Sequence, residues 1–278
     1  MYRIILLFFI PIQFVFGFNS ENVFYSVSKD SVKKDISLKT IKFEKGTAVR
    51  AFNHTYAPLL FYIKLRATDS IVKEMVLPPK DSLVVIQWEE KDRTIATQKF
   101  NTTYRAGYYI GDPTNTKPNT NYLYRLPFKK NKKYRVSQGF NGKFSHTKTA
   151  SKYAIDFQLE IGEPVYAARE GLVVKVQSKF KESGGKEFLY KANRIIILHD
   201  DGTTASYVHL DYDGVLVKEG DRVTKGQHIG FSGLTGYTRG PHLHFVVRKE
   251  RDIAIPIFFE GYAGKELKQG RKYNVKKF

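Results

Sequence analysis

Apolar and polar residues alternate in short runs along most of this chain. Thr40 to Phe43, Ala48 to Phe52, Leu59 to Leu65, Ser82 to Trp88 and Thr94 to Phe100 each read as a strand, because they are short and rich in β-branched and aromatic residues. A second series follows: Tyr153 to Leu159, Pro164 to Ala168, Leu172 to Gln177, Asn193 to His199, Thr203 to Leu210, His228 to Ser232 and His242 to Arg248. No convincing long helical period interrupts this second series. The pattern predicts an all-β chain: a small N-terminal β-sandwich over residues 18–110, then a β-barrel-like or sandwich domain over 131–260. Between them, 111–130 opens with Gly-Asp-Pro-Thr-Asn-Thr-Lys-Pro-Asn-Thr and reads as a linker. Residues 261–278 are charged and interrupted by glycine, which predicts a loosely packed basic tail.

The same alternation places chemistry. Residues 240–247 read Gly-Pro-His-Leu-His-Phe-Val-Val, so His242 and His244 share a strand face with Val246, while Leu243, Phe245 and Val247 share the other. In Tyr153-Ala-Ile-Asp156-Phe, Asp156 falls opposite Tyr153, Ile155 and Phe157. In Ala205-Ser-Tyr-Val-His209-Leu, His209 is expected to share its face with Tyr207, with Val208 and Leu210 pointing inward. His146 lies upstream in a small, polar, loop-like stretch. A catalytic metal site wants three protein ligands from imidazole nitrogen and carboxylate oxygen, with a further position left for water or substrate. His146, Asp156 and one histidine of the pair are enough for such a set, and the remaining imidazoles suit proton transfer. His199 and His228 flank turn signals and read as structural, as does His54.

Composition narrows the setting. The chain has 278 residues, 46 Lys plus Arg against 27 Asp plus Glu, and a net charge of +19, so polyanions are natural partners. No zinc-finger, RNA-recognition or helix-turn-helix signature accompanies that charge, which argues against nucleic acid. Residues 1–17 carry Arg3, then an apolar run from Ile4 through Phe16 broken by Pro11 and Gln13, and end in Val-Phe-Gly. This pattern predicts a signal peptide and an exported protein, held at a membrane only if the segment is uncleaved. The chain has no cysteine, so neither disulfides nor a lipidated cysteine enters the picture.

Several strings, in order, carry a family resemblance. Tyr153-Ala-Ile-Asp-Phe, Gly162-Glu-Pro-Val-Tyr-Ala-Ala-Arg-Glu-Gly, Tyr207-Val-His-Leu, Gly220-Asp-Arg-Val-Thr-Lys-Gly-Gln-His-Ile-Gly and Gly240-Pro-His-Leu-His-Phe resemble the lysostaphin and LytM type of zinc endopeptidase over roughly residues 134 to 250. The resemblance implies a duplicated-hybrid-motif fold, zinc held by His146, Asp156 and His244, and assistance to the attacking water and the transition state from His209 and His242. It implies peptidoglycan peptide cross-links as substrate; the net positive charge suits anionic envelope polymers as further partners, and the expected signal segment suits a periplasmic, envelope-associated or extracellular location. One departure stands out: nine residues separate His146 from Asp156, against three in the family's usual first motif. Extra loop residues add little closure entropy, so the imidazole is still expected to return to the metal. The rival readings are a catalytically inactive wall-binding or amidase-activating relative, and a carrier-type barrel suggested by the Gly220 turn. The carrier reading lacks the modifiable lysine motif it requires.

Overall fold

The computed structural model describes residues 35–275; the expected signal segment lies outside the described residues. Two compact units divide between Asp112 and Pro113. Among the described residues no helix is long and apolar enough to cross a membrane.

The N-terminal unit is built from β1 (Ile36–Phe43), β2 (Gly46–Asn53), β3 (Leu59–Leu65), β4 (Ile71–Leu77), β5 (Ser82–Trp88), α1 (Arg93–Thr103) and β6 (Tyr104–Ile110). Two antiparallel sheets form, in the orders β1-β2-β5 and β4-β3-β6. Leu38, Val49 and Val85 of the first meet Phe61, Ile63 and Leu77 of the second in one core, which is the sandwich expected from alternation. The segment Thr94 to Phe100 is helix, not strand. Asp92 caps it by accepting hydrogen bonds from the Thr94 and Ile95 amides, and Ala96 and Phe100, four apart, turn one face into the core. Burial of that face outweighs the weak helix propensity of its threonines.

The C-terminal unit contributes β7 (Leu123–Tyr124), β8 (Lys133–Gln138), β9 (Ile155–Phe157), β10 (Pro164–Tyr166), β11 (Gly171–Gln177), β12 (Ser183–Gly184), β13 (Asn193–Leu198) and β14 (Thr204–Val215). After these come β15 (Arg222–Val223), β16 (His228–Ser232), β17 (Gly236–Tyr237), β18 (Leu243–Lys249), β19 (Ile253–Ala254), β20 (Phe258–Phe259) and β21 (Lys272–Asn274). The main sheet runs β15-β11-β13-β14-β18-β9-β8-β21, with β16 bonded to β10 and β14. This path is open at both ends, so the domain is sandwich-like rather than a closed barrel. Val165 of β10 and Ile229 of β16 share one core with Val173, Ile195, Tyr207 and Phe245 of the main sheet.

Two expectations about irregular segments are corrected. Residues 123–128 of the expected linker are structured: β7 pairs with β20, and Tyr124, Leu126 and Phe128 are buried in the core. Their every-other-residue spacing turns one apolar side inward despite the prolines upstream. The expected loose tail supplies Leu267 and Val275 to the same core, and β21 adds to β8 with Lys272 opposite Arg135. Its charges occupy the exposed positions while the apolar residues between them are buried.

Candidate metal centre

Strand register builds the site. Gln138 on β8 lies opposite Asp156 on β9, Asp156 opposite His244 on β18, and His244 opposite Val208 on β14. Side chains at paired positions stand on the same face, so this row crosses four strands on the side away from Ile155, Phe157, Leu243 and Phe245. Asp156 is nevertheless buried, not solvated. Tyr153 departs from the expected alternation: it precedes β9 and packs with Val246, Ala154 and Ala254 in a small cluster on the Asp156 side of the sheet.

His209 reaches the same face by a different device. Ala205 and Tyr207 point into the core and Val208 away from it, the reverse of the inward direction expected for Val208. Continued alternation would bury His209 beside Tyr207. Instead the ladder to β13 shifts, with Arg194 opposite Val208 and Asn193 opposite Leu210, leaving His209 unpaired at φ 66°. The bulge turns His209 outward and returns Leu210 to the core. Its Nδ1–H donates to the Thr235 carbonyl at 2.7 Å, so Nε2 carries the lone pair.

His146 comes from the long turn between β8 and β9, and that turn is ordered. Its backbone amide donates to Gly142 O at 3.0 Å, and Nδ1–H donates to Gly139 O at 2.8 Å. Gln138 ties the turn to the sheet. Its Oε1 accepts the Phe144 and Ser145 amides, while Nε2 donates to Ser145 Oγ at 2.7 Å and Asp156 Oδ2 at 3.0 Å. Gly142 is needed under this clamp, since a Cβ there would stand 2.1 Å from Gln138 Cγ.

Three ligand atoms converge. His146 Nε2 lies 3.2 Å and His244 Nδ1 2.8 Å from Asp156 Oδ1, and all three residues offer atoms within 4.8 Å of one another. His146 Nε2 is buried without a hydrogen-bond partner. Because the Gly139 carbonyl takes the Nδ1 proton, a neutral His146 directs its lone pair at a carboxylate oxygen, an arrangement that a cation between them relieves. The electrostatics point the same way. Burial lowers the proton affinity of His146, but the Asp156 carboxylate more than offsets it and raises the pKa. Burial alone would raise the Asp156 pKa; the His146 and His244 imidazoles instead hold it well below the usual carboxyl value. The field that favours an extra proton here equally favours a divalent cation. The donor set of two imidazoles and one carboxylate fits a metal.

Two further imidazoles border this trio. His242 turns Nδ1 to Gly240 O at 2.9 Å, and its Nε2 lies 3.8 Å from Asp156 Oδ1. The His209 and His242 ring centroids are 4.6 Å apart. Burial, then the neighbouring His242 and His244, push the His209 pKa down to about 3, so its ring is neutral at physiological pH. All five sequence-selected residues therefore gather in one place. His199 and His228 lie elsewhere, bonded to the Glu170 and Gly230 carbonyls. Gln138, Thr235 and Thr238 complete the surroundings and were not selected from the sequence; the faint signal for Gln138 is a polar residue continuing the inward series Tyr134, Val136.

Residues 150–256 match the description Peptidase family M23, a span that contains Asp156, His209, His242 and His244 but begins after His146. The chain is similar to the peptidoglycan DD-endopeptidase ShyA of Vibrio cholerae, 36% identical over 116 residues that cover 41% of this chain and 24% of the relative. It is also similar to the glycyl-glycine endopeptidase ALE-1 of Staphylococcus capitis, 40% identical over 94 residues covering 34% of this chain and 23% of the relative. The matched part thus spans about a quarter of the length of either relative. Among solved structures, lysostaphin from Staphylococcus simulans is 30% identical, with 44% of this chain and 47% of that chain covered and a TM-score of 0.35. That match to peptidase family M23 falls wholly within the C-terminal unit of this chain.

Proposed function

We propose that this chain is an exported zinc metalloendopeptidase that hydrolyses peptide cross-links of bacterial peptidoglycan. The convergence of His146 Nε2, Asp156 Oδ1 and His244 Nδ1, with His209 and His242 bordering them, carries the reading. His146, Asp156 and His244 hold the zinc, which when bound supplies Lewis acidity toward water and the scissile carbonyl. His209 and His242 each spend Nδ1–H on a backbone carbonyl and keep Nε2 for the reaction. A neutral Nε2 takes a proton from the attacking water as its oxygen bonds to the carbonyl carbon, and that proton passes to the leaving amine as the C–N bond breaks. Gln138 holds Asp156 Oδ2 and the His146 turn in place throughout.

Support for the substrate comes from relatives whose names specify peptidoglycan or glycyl-glycine endopeptidases, and from the +19 charge, which suits an anionic envelope. The apolar run Ile4 to Phe16 supports export to the periplasm, the envelope or the exterior.

Digestion of purified peptidoglycan by the purified protein, with products identified by mass spectrometry, tests the reading. Chelator abolishes release of cleaved cross-links and added zinc restores it. His146→Ala loses both bound zinc and hydrolysis. Unchanged digestion under chelation, or full zinc content and activity in His146→Ala, would overturn the assignment.

A further inference from the structure

An exposed cation stands beside the site without an acidic partner. Arg239 lies between Thr238 and Gly240, the two residues whose side-chain and carbonyl oxygens approach His242 Nδ1 at 3.2 and 2.9 Å. Its guanidinium carbon sits 4.5 Å from the centroid of the Phe144 ring. Phe144 belongs to the opposite anchor of the site: its amide donates to Gln138 Oε1 at 3.0 Å, and Gln138 holds Asp156. Tyr237 stacks on the other partner, Phe144, with centroids 6.3 Å apart and planes 18° from parallel. An arginine, a tyrosine and a half-exposed phenylalanine therefore form one platform tied to both His242 and Asp156.

Contact with the Phe144 ring restricts the guanidinium without using its N–H donors. Among the described residues Arg239 makes no ion pair, whereas Arg169, Lys179 and Lys225 do. An oriented planar fork of donors with no internal acceptor matches a carboxylate. Resting on the peptidase reading above, we infer that Arg239 is a specificity-determining residue that binds a free carboxylate of the substrate beside the scissile amide. Where the carbon that bears the acceptor amine also bears a carboxyl group, the cross-link leaves that carboxylate free, its carbon two bonds from the new amide nitrogen. Uncharged glycine bridges offer no such group internally. The platform therefore selects cross-links whose acceptor residue carries that carboxylate.

Two synthetic cross-linked peptides, identical except that the acceptor carboxyl is free or amidated, test this on the full protein. The wild-type protein cleaves the free-acid peptide with kcat/KM about tenfold above the amide, as suits one charge-assisted hydrogen-bonded pair. Arg239→Gln raises KM for the free acid about tenfold, leaves kcat and the amidated peptide nearly unchanged, and so abolishes the preference; Arg239→Lys restores part of it. Arg239 is exposed, and an unchanged melting temperature checks that the variants fold. Equal cleavage of both peptides by the wild type, or a preference that survives Arg239→Gln, overturns the carboxylate subsite alone. Cleavage of neither peptide, and of no peptidoglycan, overturns the peptidase reading and the subsite with it.

Discussion

His209 occupies a strand at φ 66°, a left-handed conformation that a histidine adopts at a cost of order 1 kcal/mol. The surrounding ladder overdetermines it: Val208 and Leu210 pair on either side, and Thr235 O holds the ring. Strain kept at a residue that faces two other imidazoles points to function. His209→Ala should therefore lower hydrolysis about 10²-fold or more while zinc content stays at the wild-type level, because the ring lies outside the ligand trio. Activity within a few-fold of wild type would remove His209 from the proton path, and loss of zinc would move it into the ligand set. At this scale alternation made His242, His244 and Asp156 readable, since each lies in or at the edge of a regular strand. It failed at Tyr207 and Val208, because the bulge at His209 lets Tyr207 point into the core while His209, two residues on, points away from it. Gln138 was only faintly readable for another reason: its importance comes from a clamp that closes only when the following turn folds back.

Among elements, strands with interior apolar residues were legible, three of them to the residue: Leu59–Leu65, Ser82–Trp88 and His228–Ser232. The helix Arg93–Thr103 was misread because its threonines mimic a strand, although Asp92 followed by Ala96 and Phe100 at helical spacing held the contrary signal. The segment before β7 shows why a proline-rich stretch need not be a linker. Lys117 N donates to Asp201 O at 2.8 Å and Asn119 N to Asp201 Oδ2 at 3.0 Å. Asp201 is in turn held by Arg169, which lies 4.1 Å from the Tyr122 ring centroid and also bonds Asp200. Arg169 is thus the clasp for 117–122, using long-range charge that no local pattern encodes. Arg169→Ala should destabilise the protein by roughly 3 kcal/mol, since it leaves a largely buried carboxylate uncompensated. Denaturant midpoints and amide exchange check this: the Lys117 and Asn119 amides lose protection first, and Arg169→Lys recovers only part because an ammonium lacks the fork. Unaltered exchange at these two amides would show that the clasp does not hold the segment.

At the scale of the whole molecule, the all-β class was legible because short runs rich in β-branched and aromatic residues recur between turn signals, whereas the open path of the main sheet depends on pairings between distant strands. Long-range burial also sets how the protein responds to acid. His199 is buried, its Nδ1–H donates to Glu170 O at 2.7 Å, and its Nε2 has no hydrogen-bond partner. A second proton there would be desolvated and would face the Arg169 guanidinium, so burial first and then that charge push the pKa down to about 4. The unfolded chain binds this proton near its ordinary value of about 6.5, and between those values it binds more protons than the native state. Stability contributed by neutral His199 is therefore complete above pH of about 6.5 and is lost as pH falls toward about 4, up to roughly 3 kcal/mol. His199→Asn keeps a donor for Glu170 O and removes the titration. Its unfolding free energy should vary less between pH 6.5 and 4 than that of the wild type, as measured by urea melts across this range. Parallel pH profiles for the two proteins would mean that His199 is protonated equally in both states. In that case the acid sensitivity would arise elsewhere, with the site histidines His209 and His244, whose proton affinities burial also lowers, as the next groups to test.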